Sequence, residues 1–386
     1  MIRFLTAGES HGPGLIIQVE GLPAGVPLTE AMIRADLARR QLGYGRGGRM
    51  KIETDYAEIW GGVRHGLTLG STIALLIRNR DWENWKDLVM KIEPVEEDVK
   101  KVTRLRPGHA DLTGAIKYGF DDVRNVLERA SARETAARVA AGAVAKALLT
   151  QFGVRFFSHT VAIGRLRRRE WEGVDWEAVE ASPLRTDDPD LEERAIAAID
   201  AAREAGDTLG GEIEVRAEGV PIGLGSYVQW DRKLDARIAQ AIMSINAVKA
   251  VAIGAGLEAG ALTGREHHDV ITYQPGDPGS SPWRHLTNHA GGIVGGISNG
   301  EPIIVRFGLK PIATLGKPLP SVDLLTHETV NAHYERSDVC VVPAAGVIGE
   351  AMLALVLADA FAEKFGGDSL AEMQTNYRSF MVTVDR

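Results

Sequence analysis

The chain has 386 residues, of which 45% are hydrophobic and 25% are charged, an ordinary composition for a globular protein with a real core. Because this length exceeds the usual size of one domain, it indicates one large domain or two medium ones. The single cysteine, Cys340, excludes an intrachain disulfide and a cysteine-built metal cluster, and it favours a reducing compartment.

The net charge is −8 at pH 7, yet the arginines are concentrated in residues 39–50 and 104–138. A basic cluster on an acidic chain favours capture of a small anion, because the overall field repels a long polyanion such as duplex nucleic acid. The basic run 165–169 is followed directly by Glu170 and Glu172, which is typical of a solvated surface of mixed charge.

Three short strands are predicted near the start of the chain. Residues 15–19 form the first. Side chains alternate between apolar and charged over residues 51–59, which is the pattern of a half-buried strand. Residues 72–77 form a short apolar run that is typical of a fully buried strand.

Two helices are predicted from their caps and from the spacing of their apolar side chains. The first begins after Thr29 and ends near residues 39–40. Its inward side chains are Met32, Ile33 and Leu37. The second begins after Asp231 and precedes a strand-like run at residues 247–256. Its inward side chains are Leu234, Ile238, Ile242 and Ile245.

The most apolar stretch, residues 344–361, is interrupted by Glu350 and Asp359, which predicts a buried helix rather than a membrane span. The first residues, MIRFLTAGESHGPG, contain no apolar segment of the kind found in signal peptides. We therefore expect a cytoplasmic protein that has no membrane partner.

No Pro/Ser-rich linker, low-complexity tract or short repeat divides the chain. We therefore expect one compact domain over residues 1–386, with the acidic and weakly apolar segment 165–210 as a possible peripheral insertion. Strands and helices do not alternate in a regular βαβα order, which favours α+β layers over a doubly wound sheet.

The first candidate motif, GESHGPG at residues 8–14, sets Ser10 and His11 between glycines just before a predicted strand. A ligand can approach the backbone closely there, and functional side chains favour such positioned loops. His11 can serve as a general acid, because the ordinary pKa of histidine lies near neutrality. A turn with a hydrogen-bonded histidine explains the motif equally well.

Glycines and arginines alternate in the second motif, GYGRGGR at residues 43–49. Backbone N–H groups and the guanidinium groups of Arg46 and Arg49 together suit a phosphate or a carboxylate. The motif lacks the G-K-[ST] ending of a Walker A loop. A flexible nucleic-acid-binding segment is the alternative, weakened by the single short copy and by the patterned strand that follows.

Two further motifs lie in the second arginine cluster. RPGHAD at residues 106–111 places His109 on a turn beside an arginine. RASARET at residues 129–135 opens a long Ala-rich helix, with Ser131 and Glu134 at the spacing of a capping box. A helix N-terminus flanked by arginines is a prepared anion site, and an ordinary capped helix with solvated arginines is the alternative.

The late motifs are weak one by one. Paired glycines within residues 289–300 can mark close packing of the backbone alone. Residues 310–314 contain a single lysine. Residues 336–338, Arg-Ser-Asp, can form a local ion pair. The pair His267-His268 has neither helical spacing nor thiolates nearby, so no metal site is predicted.

Taken in this order and at these separations, the motifs resemble those of the chorismate synthase family. The matching stretches are GESHGPG, GYGRGGRM, RPGHAD, RASARETAARVAAG, HAGGIVGGISNG and RSDV. The resemblance extends from the first residues through the last helix. It implies a lyase of the shikimate pathway that eliminates phosphate from 5-enolpyruvylshikimate 3-phosphate. The product would be chorismate, for aromatic amino-acid biosynthesis.

The resemblance also implies a fold, an assembly and a cofactor. The fold would be α+β, with helices sandwiched between antiparallel sheets, and the assembly a homotetramer. The cofactor would be reduced FMN, which carries the hard chemistry of a redox-neutral 1,4-elimination from a poorly acidic C–H bond. The substrate bears a phosphate and two carboxylates, so a ring of arginines matches its charge.

Site residues follow from the resemblance position by position. The catalytic residues would be His11 at the departing phosphate, His109 at the reduced flavin, and Asp338 at the proton of flavin N5. The residues expected to bind the substrate are Ser10, Arg40, Arg46, Arg49, Arg106, Arg133 and Arg336. Those expected to bind the flavin are Arg129, Ala130, Ser131, Asn246, Ala247, Gly295, Lys310, Pro311, Ile312, Ala313, Thr314 and again Arg336.

Two other classes of function remain open on the sequence. An NAD(P)H-flavin oxidoreductase is disfavoured because no G-x-G-x-x-G motif follows a strand with an acidic residue at the usual distance. A nucleic-acid-binding module built on the Arg-Gly loop is disfavoured by the net charge of −8 and an aromatic content of 6%. Use of NADPH by the chain to reduce its own flavin is a further open alternative.

Overall fold

The computed structural model describes residues 1–47, 54–95, 101–169, 173–274, 281–335 and 337–384. Its first sheet and an associated hairpin contain β1 (Arg3–Ala7), β2 (Gly14–Glu20), β3 (Ala57–Gly61), β4 (Val63–Arg64), β5 (Leu67–Thr68) and β6 (Ile73–Arg78). The four longer strands run antiparallel in the order β1-β2-β6-β3, and β4 pairs with β5. Alternate side chains such as Leu15 and Ile17 of β2 and Ile73 of β6 are fully buried, so one face of the sheet meets the core.

The predicted strands at residues 15–19 and 72–77 are confirmed as β2 and β6. The prediction for residues 51–59 is only partly right, because β3 begins at Ala57 and residues 51–53 lie outside the described ranges. The backbone N–H of Asp55 donates to the side chain of Gln41 instead of a neighbouring strand. Its carboxylate turns inward to Arg40 and Arg133, which explains why the strand starts late.

The second sheet has five strands that run antiparallel in the order β10-β15-β9-β7-β8. The remaining strands form two-stranded hairpins, in which β11 pairs with β12, β13 with β14, and β16 with β17. The bounds are β7 (Arg155–Ile163), β8 (Leu166–Arg167), β9 (Gly211–Glu218), β10 (Val248–Ile253), β11 (Ile271–Tyr273), β12 (Trp283–His285), β13 (Ile293–Val294), β14 (Ile297–Ser298), β15 (Ile303–Leu309), β16 (Pro320–Val322) and β17 (Thr329–Asn331).

Two long helices, Thr135–Thr150 and Val342–Phe365, lie between the two sheets. The helices of the described ranges are α1 (Glu30–Gln41), α2 (Asp111–Tyr118), α3 (Arg124–Ala130), α4 (Thr135–Thr150), α5 (Trp176–Ala181), α6 (Pro189–Ala205), α7 (Leu234–Met243), α8 (Gly264–His267), α9 (Val342–Phe365) and α10 (Leu370–Val384). Helix α4 packs on β2 of the first sheet, and α9 packs on β7 and β9 of the second. The two helices also pack on each other, so the predicted α+β sandwich is confirmed.

The contact between α4 and α9 depends on small side chains. A Cβ added at Gly142 would lie 2.3 Å from the Cβ of Ala351, far inside van der Waals contact. Helix α9 alone is long and apolar enough to cross a membrane among the residues the structure describes. Its most apolar 18-residue window is 89% buried inside the fold, which confirms the buried helix predicted at residues 344–361.

Of the two predicted helix caps, Thr29 is confirmed and Asp231 is wrong. Thr29 caps α1 as predicted, and Ile33 and Leu37 are buried. Met32 is 39% exposed, because it lies about 100° around the helix from Ile33 and outside the buried stripe.

Asp231 does not cap α7. It lies in the 3₁₀ turn Trp230–Arg232, while the backbone N–H of Leu234 donates to the carbonyl of Gly296 and fixes the helix start. The three predicted inward side chains within α7 are buried, and so is Ile245, which lies just after the helix ends.

The spacing of Ser131 and Glu134 does not produce a capping box. A 3₁₀ turn, Ala132–Glu134, precedes α4, and the Ser131 hydroxyl accepts from the backbone N–H of Arg133 within this turn. The Glu134 carboxylate instead binds Thr6 at 2.9 Å and Arg138 at 2.8 Å. Tertiary partners therefore replace the local cap.

Residues 165–210 connect β7 to β9, which are neighbours in the second sheet. They contribute β8, α5 and α6, and helix α6 buries Leu191, Ala195 and Ile199 in the main hydrophobic core. The assignment of this segment as a peripheral insertion of a single domain stays a prediction.

Candidate active site

His11 lies on the loop between β1 and β2, against a buried glutamate of α3. Both carboxylate oxygens of Glu128 approach the His11 ring nitrogen Nδ1, at 2.9 and 3.0 Å. The backbone N–H of His11 donates to the same carboxylate at 2.8 Å. Burial raises the pKa of Glu128, but its bonds to His11 outweigh that effect and leave the pKa lowered. Glu128 is therefore ionised near neutrality and fixes the imidazole through Nδ1, so that Nε2 is the nitrogen suited to a ligand.

Trp85 and Arg124 complete the surroundings of His11. The ring centroids of Trp85 and His11 are 4.1 Å apart. The guanidinium group of Arg124 lies 5.2 Å from the centroid of the same indole. It donates to Glu128 Oε1 at 2.9 Å and to Glu335 Oε1 at 3.3 Å. A series of alternating charges therefore extends away from His11.

The loop that carries Ser10 and His11 is held by side chains from elsewhere in the chain. The Asn79 amide donates to three backbone carbonyls of this loop, at 2.8–3.4 Å. The hydroxyl groups of Ser131 and Ser10 are hydrogen-bonded at 3.1 Å. The backbone N–H of Ser10 also donates to the carbonyl of Glu128 at 3.1 Å. The positions of Ser10 and His11 are consequently fixed by several independent bonds.

Arg133 and Arg40 share one carboxylate, that of Asp55. Arg133 Nη1 binds Asp55 Oδ1, and Arg40 Nη1 lies 3.2 Å from Asp55 Oδ2. Arg133 Nε donates to Asn79 Oδ1 at 3.0 Å, which ties it to the Ser10 loop, and Arg40 Nη2 donates to the Thr135 hydroxyl at 2.8 Å. Both arginines are buried, with two positive charges against one negative charge.

Arg46 of the Gly-Arg loop joins the same cluster from the side of Asp338. Arg46 Nη1 lies 3.3 Å from Asp338 Oδ2, and the backbone N–H of Gly47 donates to the other carboxylate oxygen. Burial lowers the pKa of Arg40 to about 10, with repulsion from Arg46 and Arg133 acting in the same direction against the attraction of neighbouring carboxylates. Three of the predicted substrate arginines are therefore close enough to repel one another.

The second predicted histidine, His109, has the same arrangement as His11. Its Nδ1 lies 2.5 Å from Asp111 Oδ1 and 3.1 Å from Arg106 Nη2. Arg106 binds both oxygens of Asp111, at 2.8 and 3.0 Å, and reaches the Thr314 hydroxyl at 3.2 Å. Burial raises the pKa of Asp111, but hydrogen bonds from His109 and Arg106 outweigh it and hold the pKa well below its usual range.

Segment 310–314 lies directly against the turn that carries His109. A Cβ added at Gly108 would lie 3.7 Å from the Cβ of Ala313 and 3.8 Å from Lys310 Nζ. Burial lowers the pKa of Lys310, and repulsion from Lys249 adds to the effect. No carboxylate in the described ranges forms an ion pair with Lys310, so its charge is suited to an anionic ligand.

Asn246 and Ala247 connect the two halves of the predicted flavin site. The Asn246 amide donates to the carbonyl of Ala130 at 3.0 Å. The carbonyl of Ala247 accepts from the backbone N–H of Lys310 at 2.9 Å. Ala247 has φ of 70°, a left-handed conformation that few residues with a side chain adopt. Such strain is common where the backbone is shaped around a ligand.

Glu335 lies between the charges of the His11 cluster and those of the His109 cluster. Burial raises the pKa of Glu335, but a bond from His333 and the charges of Arg124 and Arg106 lower it to about 2. Arg124, which also binds Glu128 of the His11 cluster, donates to Glu335. The charge of Arg106, which belongs to the His109 cluster, also acts on Glu335. The two histidine clusters therefore act on a common carboxylate, that of Glu335, one through a hydrogen bond and the other through charge.

Other predicted residues lie outside this network or outside the described ranges. Arg129 is half-exposed and donates to the carbonyls of Thr6 and Gly8, at 3.1 and 3.3 Å. Gly295 lies at the turn between β13 and β14, with open space around a Cβ added there. Within the described residues, neither Arg129 nor Gly295 forms a hydrogen bond to Lys310 or to the two histidines. The carbonyl of Ile312 accepts a hydrogen bond from the Thr208 hydroxyl. Pro311 is exposed. The two predicted arginines that lie outside the described residues are Arg49 and Arg336.

The carboxylate and amide partners of the site, and one further arginine, were not predicted. Asp111 alone among them lies within a motif. Its position two residues after His109 could have indicated a histidine–carboxylate pair. The others come from distant positions with no local signal. They are Asp55, Asn79, Arg124, Glu128 and Glu335.

Comparison with known proteins identifies the family of the chain. The family model described as chorismate synthase matches residues 2–362. The chain belongs to the chorismate synthase family. A chorismate synthase of Moorella thermoacetica is 56% identical over 387 residues, which cover 99% of each protein. One from Solibacter usitatus is 54% identical over 395 residues, covering 100% of this chain and 99% of that protein.

A solved structure agrees with the sequence relatives. A crystal structure of chorismate synthase superposes with a TM-score of 0.79 at 43% sequence identity, covering 100% of this chain and 98% of that one. Membership of the chorismate synthase family confirms the resemblance drawn from the motifs, the fold class and the function. The chain is a lyase that forms chorismate in aromatic amino-acid biosynthesis.

Proposed function

We propose that the linked histidine clusters form one active site that binds 5-enolpyruvylshikimate 3-phosphate and reduced FMN and carries out the redox-neutral 1,4-elimination. One observation carries the proposal. Each predicted catalytic histidine holds a buried, ionised carboxylate through Nδ1, and both carboxylates belong to one network of charges. Two matched histidine–carboxylate pairs beside a cluster of arginines are suited to proton transfer on an anionic substrate.

The arginine cluster supports binding of the anionic substrate. Arg40, Arg46 and Arg133 are held close together by the carboxylates of Asp55 and Asp338. Guanidinium groups gathered in this way are suited to bind a phosphate or carboxylate of the substrate with short, charge-assisted hydrogen bonds. Ser10 and Arg106 belong to the same proposed set, as do Arg49 and Arg336 on the basis of the family motifs.

The residues around Lys310 fit the phosphate of a flavin nucleotide. Lys310 is a partly buried cation beside Lys249, and an anion there would relieve both burial and repulsion. The strained Ala247 and the turn at Gly108 shape the backbone on either side of Lys310. When bound, reduced FMN would supply electron density that helps phosphate leave and would take up the hydrogen from C6.

The side chains of the chain itself would manage protons and charge. His11, held through Nδ1, would donate from Nε2 to the departing phosphate. His109, held by Asp111, would stabilise negative charge at the reduced flavin. Asp338, positioned by Gly47 and Arg46, would accept and return the proton at flavin N5.

We also propose a cytoplasmic homotetramer that has neither a nucleic-acid nor a membrane partner. The family resemblance and the net charge of −8 support this assignment. Large apolar side chains at the surface support assembly, since Trp230 is 79% exposed and Leu257 is 96% exposed.

Lys310→Ala should weaken the binding of FMN by about 1.5–3 kcal/mol, the usual contribution of a hydrogen bond to a charged group. Fluorescence titration of oxidised FMN measures this effect without turnover. Lys249→Ala is the matched control, because it removes an equal charge from a neighbouring position. An equal loss of affinity in both variants would show that the general positive field attracts the flavin, and an unchanged Lys310→Ala variant would remove Lys310 from the flavin site.

A further inference from the structure

Glu128 makes more bonds to His11 than a role in fixing the loop requires. Its two carboxylate oxygens receive the backbone N–H of His11 at 2.8 Å and face the ring Nδ1 at 2.9 and 3.0 Å. The side chain of Glu128 is 3% exposed, and that of His11 is 12% exposed. The pair is therefore largely shielded from water, where charges act strongly on each other.

The bonds from His11 keep the Glu128 carboxylate ionised in this buried position, and the charge of Arg124 adds to their effect. A buried carboxylate without a cation would take up a proton, because desolvation disfavours its ionised form. Arg124 stands four residues earlier on α3 and donates to Glu128 Oε1 at 2.9 Å. Its other nitrogen reaches Glu335, so its position is fixed from both sides.

We propose that Glu128 is a positioning residue that favours the protonated form of His11, so that His11 keeps a proton on Nε2 for the departing phosphate. Arg124 opposes Glu128 and limits this effect. The inference rests on the proposed role of His11 as the proton donor. Among the residues that the structure describes, Arg124 faces the pair, and Glu335, His333 and Arg106 lie beyond it.

The sign of the effect follows from the charges. A carboxylate at Nδ1 stabilises the imidazolium, and an opposite charge at this distance shifts a pKa by about one unit or more. Glu128→Gln keeps a side-chain oxygen that can accept from Nδ1–H but has no charge. The variant therefore removes the charge that favours the imidazolium while it keeps the hydrogen-bond acceptor.

The test is an NMR titration of the His11 ring nitrogens in the chain without substrate, together with the pH profile of kcat. Glu128→Gln should shift the His11 titration and the falling limb of kcat to lower pH by the same amount, with the KM for substrate little changed. Glu134→Gln is the matched control, since Glu134 is also buried and paired with an arginine four residues away, Arg138. It should leave both profiles in place.

A second variant keeps the test decisive if Glu128→Gln does not fold. Arg124→Gln removes the cation and should move the His11 titration in the opposite direction, to higher pH. An unchanged His11 titration in either variant would overturn the proposal, whatever happens to kcat. Shifts of the His11 titration without any matching shift in kcat would uphold the pairing and refute the proposed catalytic role of His11, so the two failures can be distinguished.

Discussion

His11→Ala and His109→Ala should each lower kcat by about 10²–10⁴-fold, the usual contribution of a positioned acid or base. Both variants should fold. The carboxylate left behind keeps an arginine in each case, because Glu128 still binds Arg124 and Asp111 still binds Arg106. No buried charge is therefore left without a partner, and the thermal midpoint should change little.

Steady-state kinetics with reduced FMN and a thermal unfolding curve for each variant check this expectation. His285→Ala is a matched control, because His285 Nδ1 also lies near a carboxylate, 3.4 Å from Glu301, and has no contact with the network described above. Its kcat should equal that of the parent. Near-normal turnover in both His11→Ala and His109→Ala would remove the histidines from the mechanism.

The second large effect is expected on stability, at a buried carboxylate in the middle of α9. Glu350 is fully buried, and its oxygens bind both terminal nitrogens of Arg39 and the ammonium of Lys146, each at 2.8 Å. The Ser158 hydroxyl donates to it at 2.6 Å. Glu350→Ala would leave two cations beside a cavity, and we expect it to lower the free energy of unfolding by about 3–5 kcal/mol.

Urea unfolding at neutral pH measures this loss. Glu363→Ala on the same helix is the matched control, because Glu363 is 47% exposed and its bonds to Arg232 and Arg237 lie at the surface. It should cost no more than about 1 kcal/mol. Equal costs for the two variants would contradict a structural role for the buried network.

The contribution of Glu350 should also depend on pH. Burial raises its pKa, but Lys146 and Arg39 outweigh burial and hold the pKa well below its usual range. A carboxylate with a lowered pKa in the folded state stabilises the fold fully above its unfolded pKa of about 4.3. Stabilisation is lost as the pH falls below that value, so the difference between the parent and Glu350→Ala should narrow there.

Local patterns predicted the elements whose causes are local. A short apolar run identified β6, and Thr29 identified the start of α1, because such a run and a helix cap depend on neighbouring residues. Asp231 failed as a cap because a backbone bond from Leu234 to the distant Gly296 decides where α7 begins. Tertiary contacts of this kind have no local signal.

The site was predictable in its chemistry and only partly in its geometry. The motifs supplied the candidate histidines and arginines, and their roles stay predictions. They did not show that Arg133 is paired with Asp55, which lies 78 residues away in the sequence, or that His11 is paired with Glu128, 117 residues away. The arginines predicted to bind anions therefore belong to a preformed network of charges and are not isolated guanidinium groups.

The central claim is that this chain eliminates phosphate without net redox change. The most direct measurement is anaerobic mixing of the chain with reduced FMN and 5-enolpyruvylshikimate 3-phosphate, following phosphate, chorismate and the flavin spectrum together. The account predicts equal amounts of phosphate and chorismate over many turnovers, with the flavin still reduced at the end and no turnover with oxidised FMN. Oxidation of one flavin for each product formed would contradict it.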